Sequence, residues 1–340
     1  MNAVNYNQLK TLFLSGMTND NRGNVFINTK GQTNIVLSGS ANLANFLADL
    51  PGGNYNFHLA GLGRPQPYEI PFWPNIIVNQ ISDPDTHDQA LIRSINLINT
   101  QSCPVINHPE AIKKTRRELI YQNLSGVDGL IVPKTTRFSP TNPQDVKTEI
   151  DEQNFTYPVI FRKAGDHGGV STSLINSEAD IEQTLYQYAL DGSAFYLTQF
   201  VDYVGSDDNY RKVRLVVVDG KAYLRHLIIS DSWLIHSSSR KFMAENIKFD
   251  EEEKDYFIGY EEKIWPKIKH TISEVTARLE LEYYGIDCDI SADGTILAFE
   301  INANMNVLTN SDAIPNRWEQ PIETIRQAVI ELIKTKAKFS

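Results

Sequence analysis

The chain has 340 residues, of which 41% are hydrophobic and 22% are charged, a balance typical of a soluble globular protein. This length is too great for one compact core of ordinary size, so two or three linked subdomains are predicted. The formal charge of −10 argues against nucleic acid as a general partner, because phosphate contacts require a basic face.

Cysteine content and apolar runs indicate where such a protein would work. Cys103 and Cys288 are the two cysteines, and no CxxC pair occurs, which favours a reducing, cytoplasmic compartment. The first residues, MNAVNYNQLKTLFLSG, contain one lysine and a very short apolar stretch, too little for a signal peptide or a membrane span. No apolar run of about 18 residues follows. The sequence therefore predicts no membrane partner, and it leaves a homodimer open.

The first predicted subdomain, residues 1–107, alternates short apolar runs with polar loops. Residues 34–37 and 76–78 are predicted to be buried strands. Residues 90–98 are predicted to form a helix, since apolar side chains recur at positions 91, 95 and 98. This combination is typical of an open α/β subdomain.

The second predicted subdomain, residues 108–200, begins with a helix signal. Asn107 is the predicted N-cap, because Pro109 falls in the first turn and Glu110 follows the cap by three residues. One helix is expected to extend from there to about residue 126. The remaining predictions are an exposed polar connection at 139–154, strands at 158–161 and 196–201, and a helix at 177–190.

The third predicted subdomain, residues 201–340, contains two strand pairs and two long helices. The strand pairs turn at Asp-Gly dipeptides, at 219–220 and 293–294. Apolar residues at helical spacing predict helices at about 262–281 and 322–333.

The first Asp-Gly turn predicts a basic face. If Asp219 and Gly220 form a two-residue turn, Arg214 lies directly opposite Arg225, and Lys212 shares their face. Two opposed arginines repel unless an anion lies between them, so this register favours an anion site. The alternatives are that both side chains point into water or pair with nearby acidic residues.

The second Asp-Gly turn predicts an acidic face. A two-residue turn at 293–294 places Asp287 opposite Glu300, and Asn302 follows on the same face. Carboxylate and amide oxygens are hard ligands that suit Mg²⁺, and Asp289 is either a further ligand or only a neighbour. A solvated acidic hairpin is the alternative, but the apolar residues around Glu300 favour a buried strand, which does not tolerate an idle carboxylate. A different turn length would undo the pairing.

A glycine-rich loop, GDHGG, lies between two predicted strands. Walker A and Rossmann loops precede a helix, so this loop is neither. Gly168 and Gly169 would let backbone amides close over phosphates, with Arg162 or Lys163 supplying positive charge. A plain flexible turn explains the loop equally well, and His167 is more readily an incidental loop residue than a catalytic group.

Five segments, in this order, resemble the ATP-grasp superfamily over roughly residues 105–305. They are the helix after INHPEAI, the basic strand end with its glycine-rich loop, YLTQFV, YRKVRLVVVDG, and GID with FEINAN. The chain is most similar to the glutathione-synthetase and ribosomal-protein glutamyl ligase group, and to bacterial ATP-grasp domains fused to tetratricopeptide repeats. The resemblance implies an ATP-grasp fold of α/β (α+β) class. In that fold an N-terminal open α/β subdomain is followed by two α+β subdomains that sandwich ATP.

The resemblance also implies ATP and Mg²⁺ as cofactors and assigns residues to them. Asp287, Glu300 and Asn302 take the positions of the magnesium ligands. Arg214 takes that of an arginine that contacts phosphate or acyl-phosphate, and Arg225 would neutralise charge beside it. The residues implied in ATP binding are Arg162, Lys163, His167, Gly168, Gly169, Gln199, Phe200, Val201 and Lys212.

Some positions depart from the family pattern. The basic pair at 162–163 replaces a single lysine, with the register open by one residue. The second phosphate-binding lysine is Lys113, Lys114 or absent. Gln199 stands where glutamate is common, and Lys212 replaces an acidic residue. These departures leave the details of phosphate contact open.

The implied reaction is ATP-dependent carboxylate–amine ligation. A carboxylate would attack the γ-phosphate to give an acyl-phosphate and ADP, and an amine would then displace phosphate. An amino acid, a small metabolite and a peptide all fit as substrate, and the segment at 226–242 is either a substrate wall or a surface loop. The alternative is a non-catalytic, regulatory nucleotide-binding protein, which the unusual basic segments favour and the retained Asp-Glu-Asn trio argues against.

Overall fold

The fold is taken from a computed structural model. The residues that the structure describes are 9–21, 24–27, 33–36, 39, 41, 43–47, 49–63, 69–166, 169, 171–310 and 315–337. Across these ranges, three sheets of four or five strands pack with helices, which confirms the predicted mixed α/β class. No helix in these ranges is long and apolar enough to cross a membrane.

The first sheet is parallel and is covered by a helix. The elements of this part of the chain are β1 (Lys10–Gly16), β2 (Asn24–Ile27), β3 (Thr33–Val36), β4 (Gly53–Leu59), β5 (Ile76–Asn79), α1 (Asp88–Ile98) and β6 (Val105–Ile106). The sheet has the order β4-β1-β5-β6, and β2 pairs with β3 in a separate ribbon. The predicted strand at 76–78 and helix at 90–98 are confirmed. Strand β3 overlaps the predicted strand at 34–37, of which Leu37 lies outside the described residues.

The single helix predicted to follow Asn107 is wrong, because two helices occupy that stretch. They are α2 (Pro109–Lys113) and α3 (Arg117–Leu124). The cap of α2 is His108, whose ring nitrogen accepts a hydrogen bond from the Glu110 amide at 3.3 Å. Asn107 has a left-handed φ of 56°, and its side chain is buried instead of capping the helix.

The second sheet is antiparallel and has helices on one face. The elements here are β7 (Leu130–Ile131), β8 (Thr135–Phe138), α4 (Pro143–Glu152), β9 (Val159–Lys163), β10 (Thr172–Ile175), α5 (Ile181–Leu185) and β11 (Phe195–Gln199). The strand order is β10-β9-β11-β8. The exposed connection predicted at 139–154 is wrong, since it contains α4. Val146 and Ile150, one helical turn apart, are buried in the same core as Phe161.

The third sheet is a meander with helices on both faces. Its elements are β12 (Tyr210–Val218), β13 (Lys221–Ser230), α6 (Arg240–Ala244), α7 (Ile247–Gly259), α8 (Trp265–Leu279), β14 (Tyr283–Ile290), β15 (Ile296–Ala303) and α9 (Glu319–Ala337). The order is β13-β12-β14-β15-β7, with β7 parallel to β15. Val217 of β12 faces the core that contains α8, whereas Val216 and Val218 face the core that contains α9. Side chains alternate along a strand, so Lys212 and Arg214 lie on the same face as Val216 and Val218, the α9 face. They are nearer the N-terminal end of β12.

The predicted helices of the third subdomain are confirmed as α8 and α9. Strand β7 pairs with the third sheet although its residues fall within the predicted second subdomain. The subdomain boundaries at 107 and 200 stay predictions.

A buried polar network joins the first sheet to the third. Asn107 Nδ2 donates to Asn304 Oδ1 at 2.7 Å and to the Tyr283 carbonyl at 2.5 Å. Asn107 Oδ1 accepts from the amides of Glu282 and Tyr283, each at 3.0 Å. Asn304 Nδ2 donates to the Ile81 carbonyl at 2.7 Å, in the loop between β5 and α1. These bonds satisfy the two buried carboxamides, which would otherwise be costly to bury.

Candidate active site

The β12–β13 hairpin has the predicted two-residue turn. Asp219 and Gly220 both have left-handed φ angles, 49° and 79°. A type I′ turn requires this conformation at both central positions. Val218 pairs with Lys221, as that turn dictates.

The same hairpin then contains a β-bulge, which changes the predicted pairing. Leu215 pairs with Leu224, but the next residue of β12, Arg214, pairs with His226. Arg225 is therefore the extra residue of the bulge. The predicted pairing of Arg214 with Arg225 is wrong, because the register shifts between the turn and the arginines.

In the β14–β15 hairpin the predicted turn is wrong but the predicted pairing is correct. The hairpin closes with a five-residue loop, 291–295, so the predicted two-residue turn is wrong. The longer loop shifts the pairing by one residue, and a β-bulge with Phe299 as the extra residue shifts it back. Asp287 therefore pairs with Glu300. The predicted pairing of the two carboxylates is therefore confirmed.

One row of side chains crosses the third sheet at these two bulges. Arg214 pairs with His226 on one side and with Asp287 on the other, and Asp287 pairs with Glu300. Bulges re-aim side chains and are over-represented next to active sites. The row is therefore the centre of the candidate site.

Asp287 is a buried carboxylate held by two cations. Its relative exposure is 4%. Arg214 contacts it twice, through Nε to Oδ1 at 2.6 Å and Nη2 to Oδ2 at 2.7 Å. Lys212 Nζ lies 3.5 Å from Oδ2 and donates to the Ile235 carbonyl at 2.8 Å. Burial raises the pKa of Asp287, but the charge and hydrogen bonds of Arg214 lower it by a larger amount. The pKa therefore lies well below its usual range.

Glu300 is held by a cation from outside the third sheet. Arg117 Nη2 lies 2.7 Å from Glu300 Oε1, and Arg117 Nη1 donates to the Phe299 carbonyl at 2.9 Å. The Asn302 side chain hydrogen-bonds to Glu300. Burial raises the pKa of Glu300, but the charges of Arg117 and Arg162 lower it to about 2. Both paired carboxylates are therefore anionic at neutral pH.

A cavity of about 420 Å³ lies between the second and third sheets, above this row. The predicted site residues that line it are Arg162, Gly169, Gln199, Phe200, Val201, Lys212, Arg214, Asp287 and Glu300. Lys163 and Asn302 line a neighbouring cavity of about 20 Å³, which shares Arg117, Arg162 and Glu300 with the larger one. His167 and Gly168 lie outside the described residues. The functional roles of these residues stay predictions.

Arg225 lines neither cavity, which is a correction to its expected place beside Arg214. Its Nε donates to the Val307 carbonyl at 2.8 Å, and its Nη2 donates to the Thr309 carbonyl at 3.0 Å. The bulge turns this side chain towards the segment after β15, so Arg225 holds that segment.

The two basic residues at the end of β9 differ in the cavities that they line. Arg162 lines the larger cavity, whereas Lys163, the next residue along the strand, lines only the smaller one. Arg162 Nη2 donates to the Asp166 carbonyl at 2.6 Å, at the start of the glycine-rich loop. Burial, with a contribution from the like charge of Arg117, lowers the pKa of Arg162 to about 10, so it remains a cation at neutral pH.

Arg117 is a cavity residue that the sequence did not single out. Lys113 pairs with Glu110 and Lys114 with Glu280, away from the cavity. Arg117 begins α3, and the break between α2 and α3 directs it towards β15. No local signal distinguishes it from its basic neighbours.

The other end of the cavity is aromatic. The rings of Phe200 and Trp233 meet edge to face, with centroids 5.6 Å apart. Tyr203 OH donates to the Trp233 carbonyl at 2.5 Å, and its ring lies 4.7 Å from that of Phe299. The Gln199 carboxamide bonds to the backbone at 156 and 158. This end offers aromatic and apolar surface to a flat ligand.

The charge of the cavity differs in sign from that of the whole chain. Its lining includes four basic residues, Arg117, Arg162, Lys212 and Arg214, and two acidic residues, Asp287 and Glu300. Four positive and two negative charges leave an excess of two positive charges, whereas the chain carries −10. A cavity with this lining suits a polyanion.

The implied Mg²⁺ can be tested against these donors. Among the described residues, no group of three or more His, Cys, Asp or Glu side chains is arranged to hold a metal ion. The predicted trio instead has two carboxylates and one amide. Mg²⁺ is commonly bound by one or two carboxylates together with water and substrate phosphates, so the donor chemistry fits. Arg214 and Arg117 now engage the two carboxylates, and a cation would share them.

Comparison with curated proteins finds distant relatives, while no family model matches the chain. N-acetylaspartylglutamate synthase A of Mus musculus is 24% identical over 243 residues, which cover 71% of this chain and 58% of that protein. The Homo sapiens protein of the same name is 23% identical over 243 residues, covering 71% and 56%. The chain thus matches less than two thirds of the length of either relative.

Solved structures of similar fold cover nearly the whole chain. D-cycloserine synthetase DcsG has a TM-score of 0.51 at 11% identity, over 95% of this chain and 99% of that chain. The ATP-grasp ligase PsnB, complexed with precursor peptide PsnA2 and AMPPNP, has a TM-score of 0.50 at 14% identity, over 97% and 100%. The ADP complex of purK, N5-carboxyaminoimidazole ribonucleotide synthetase, has a TM-score of 0.50 at 13% identity, over 94% and 78%.

Proposed function

Because the chain has the ATP-grasp fold, we propose that it is an ATP-dependent carboxylate–amine ligase that forms an amide or peptide bond through an acyl-phosphate. The observation that carries the proposal is the row at the bulges, where Asp287 and Glu300 are paired beneath a cavity with four cationic side chains. This arrangement supports binding of a nucleotide triphosphate with a divalent cation.

The two ends of the cavity support one orientation of ATP. The aromatic end, with Phe200 and Trp233, would take the adenine, and the backbone of 199–201 would bond to it. The basic end, with Arg162 and Lys212, would take the phosphates. Asp287, Glu300 and Asn302 would hold Mg²⁺, which when bound would neutralise phosphate charge.

The chain's own residues would act by positioning and by charge. The substrate carboxylate attacks the γ-phosphorus, the bond to the β-phosphate oxygen breaks, and ADP leaves with that electron pair. The amine then adds to the acyl-phosphate, loses a proton and displaces inorganic phosphate. Arg214 and Arg162 would neutralise negative charge on the transferring group.

The names of the relatives support an amino acid or a peptide as substrate. N-acetylaspartylglutamate is the product named for the curated relatives, and PsnB is complexed with a precursor peptide. A small metabolite remains within the proposal, since D-cycloserine is named for DcsG. The free thiols of Cys103 and Cys288 support a reducing, cytoplasmic setting.

The proposal is tested by ADP release across pooled amino acids and peptides, with and without Mg²⁺. We expect Glu300→Gln to abolish turnover, because it removes a charge from the paired carboxylates. Glu261→Gln is the matched control, since Glu261 is an exposed acid that pairs with Lys221 away from the cavity. Wild-type ADP release by the Glu300→Gln variant would refute the assignment of Glu300.

A second candidate is a regulatory protein that binds nucleotide without turnover. The observation in its favour is that Arg214 and Arg117 already pair with the two carboxylates that would hold a metal ion. Binding of Mg·AMPPNP without ADP release in any substrate pool would favour this candidate.

A further inference from the structure

The loop between β5 and α1 contacts both sheets that flank the cavity. At the third sheet, Asn304, the residue directly after β15, donates from its side chain to the Ile81 carbonyl at 2.7 Å. On the second sheet, Asp85 accepts hydrogen bonds from Arg137 Nε at 3.1 Å and from Tyr196 OH at 2.6 Å. A loop of the first subdomain thus spans the two walls of the cavity at their basic end.

The contacts of Asp85 lead along the second sheet to Arg162. Tyr196 on β11 pairs with Arg137 on β8 and with Arg162 on β9. The three side chains therefore lie side by side on one face of the sheet. Asp85 binds Tyr196 and Arg137, and Arg162 lines the cavity. The Asp85 side chain is 10% exposed, so water screens these contacts little.

The same loop also supports the chain that leaves β9. Gly165 has a left-handed φ of 72°, and a Cβ atom at this position would lie 2.5 Å from Thr86 Cγ2. The turn after Arg162 therefore rests directly on the loop, with no room for a side chain between them. The loop therefore holds β11, which pairs with the strand that carries Arg162, and also supports the turn that follows that strand.

We propose that Asp85 is a positioning residue, which sets the place of Arg162 over the paired carboxylates by holding Arg137 and Tyr196. The first subdomain thereby fixes the separation of the two cavity walls at the phosphate end. This inference rests on the proposed function, because Arg162 must contact the nucleotide for its position to matter.

The test is a double-mutant cycle in the full-length chain, with Mg·AMPPNP affinity measured by calorimetry. We expect Asp85→Asn to weaken binding about tenfold, since two bonds to a charged group are weakened. In an Arg162→Ala background the same change should cause no further loss, because Asp85 acts through Arg162. Losses that multiply in the double variant, or an unchanged affinity of Asp85→Asn, would overturn the proposal.

Two further variants keep the test decisive. Asp145→Asn is the matched control, since Asp145 accepts bonds from Thr141 within the second subdomain and should bind Mg·AMPPNP like the wild type. If Asp85→Asn folds poorly, Tyr196→Phe removes one hydroxyl of the same contact and should give a smaller loss with the same dependence on Arg162. A wild-type chain that binds no Mg·AMPPNP refutes the proposed function, whereas equal binding by wild type and a folded Asp85→Asn refutes the positioning role alone.

Discussion

The two hairpins of the third sheet reach one functional row by different routes. The β12–β13 hairpin turns in two residues and bulges at Arg225, whereas the β14–β15 hairpin turns in five residues and bulges at Phe299. In the first hairpin the bulge carries an arginine away from the cavity. In the second it brings Glu300 opposite Asp287. Turn length alone therefore does not determine which side chains meet in a hairpin.

The bulges also differ in what stabilises them. Arg225 donates hydrogen bonds to two backbone carbonyls in the segment after β15. Phe299 gains a ring contact with Tyr203, and its carbonyl accepts a bond from Arg117. Each bulge is thus held by a contact distant in sequence, and both occur at the row where Arg214 pairs with Asp287.

The largest expected effect is the difference in ADP release between variants of the two arginines of the first hairpin. We expect Arg214→Gln to reduce ADP release by at least about a hundredfold, because it removes a cation from the cavity and a partner from Asp287. Arg225→Gln should reduce it by less than about tenfold, since its guanidinium binds carbonyls outside the cavity. Steady-state ADP release, or Mg·AMPPNP affinity where no substrate is found, measures both. Equal losses would contradict this, since they would mean that the segment held by Arg225 matters for ADP release as much as Arg214 does.

An intermediate effect is expected for the cation that holds the second hairpin. Arg117→Gln should raise the KM for ATP about tenfold, because it removes one of the four basic residues of the cavity and unpairs Glu300. Arg116→Gln is the adjacent control, since Arg116 pairs with Glu118 and should leave the KM unchanged. A similar rise in both variants would mean that α3 contributes through its overall charge.

The smallest effect on activity is expected for the turns themselves, whose substitution acts on stability and is measured by unfolding in urea. Gly220 has nothing within 4 Å of an added Cβ, so Gly220→Ala should lower the free energy of unfolding by about 1 kcal/mol through its left-handed φ. In Gly294→Ala the added Cβ would also lie 2.7 Å from Lys267 Cβ, and the loss should reach about 2–3 kcal/mol. Equal losses would show that Lys267 moves aside without cost.

Features with a local signal were predictable from the sequence. Apolar periodicity identified α1 and α8, and the Asp-Gly dipeptide at 219–220 identified a turn whose two residues both adopt left-handed angles. The pairing of Asp287 with Glu300 was predicted correctly from a turn that was wrong, because the bulge cancelled the error.

Features that depend on distant contacts were not predictable. The side chain at the Arg225 bulge donates its hydrogen bonds to carbonyls more than eighty residues later. Arg117 enters the cavity because the chain breaks between α2 and α3, a break that no periodicity marks. Helix α4 was missed because only two of its residues, Val146 and Ile150, are buried. Asp85 has no motif, and its partners lie on two strands of another sheet.

The buried asparagine network has a consequence for the order in which the chain folds during synthesis. Asn304 is separated by 197 residues from Asn107 and by 223 from Ile81, which are its two partners. Until Asn304, the residue after β15, has left the ribosome, Asn107 can bond to Glu282 and Tyr283, but its bond to Asn304 and the bond of Asn304 to the Ile81 carbonyl cannot form. Contacts of such long range form late in folding. The first sheet can therefore form early, but its full set of bonds to the third sheet is complete only after β15 and Asn304 are made.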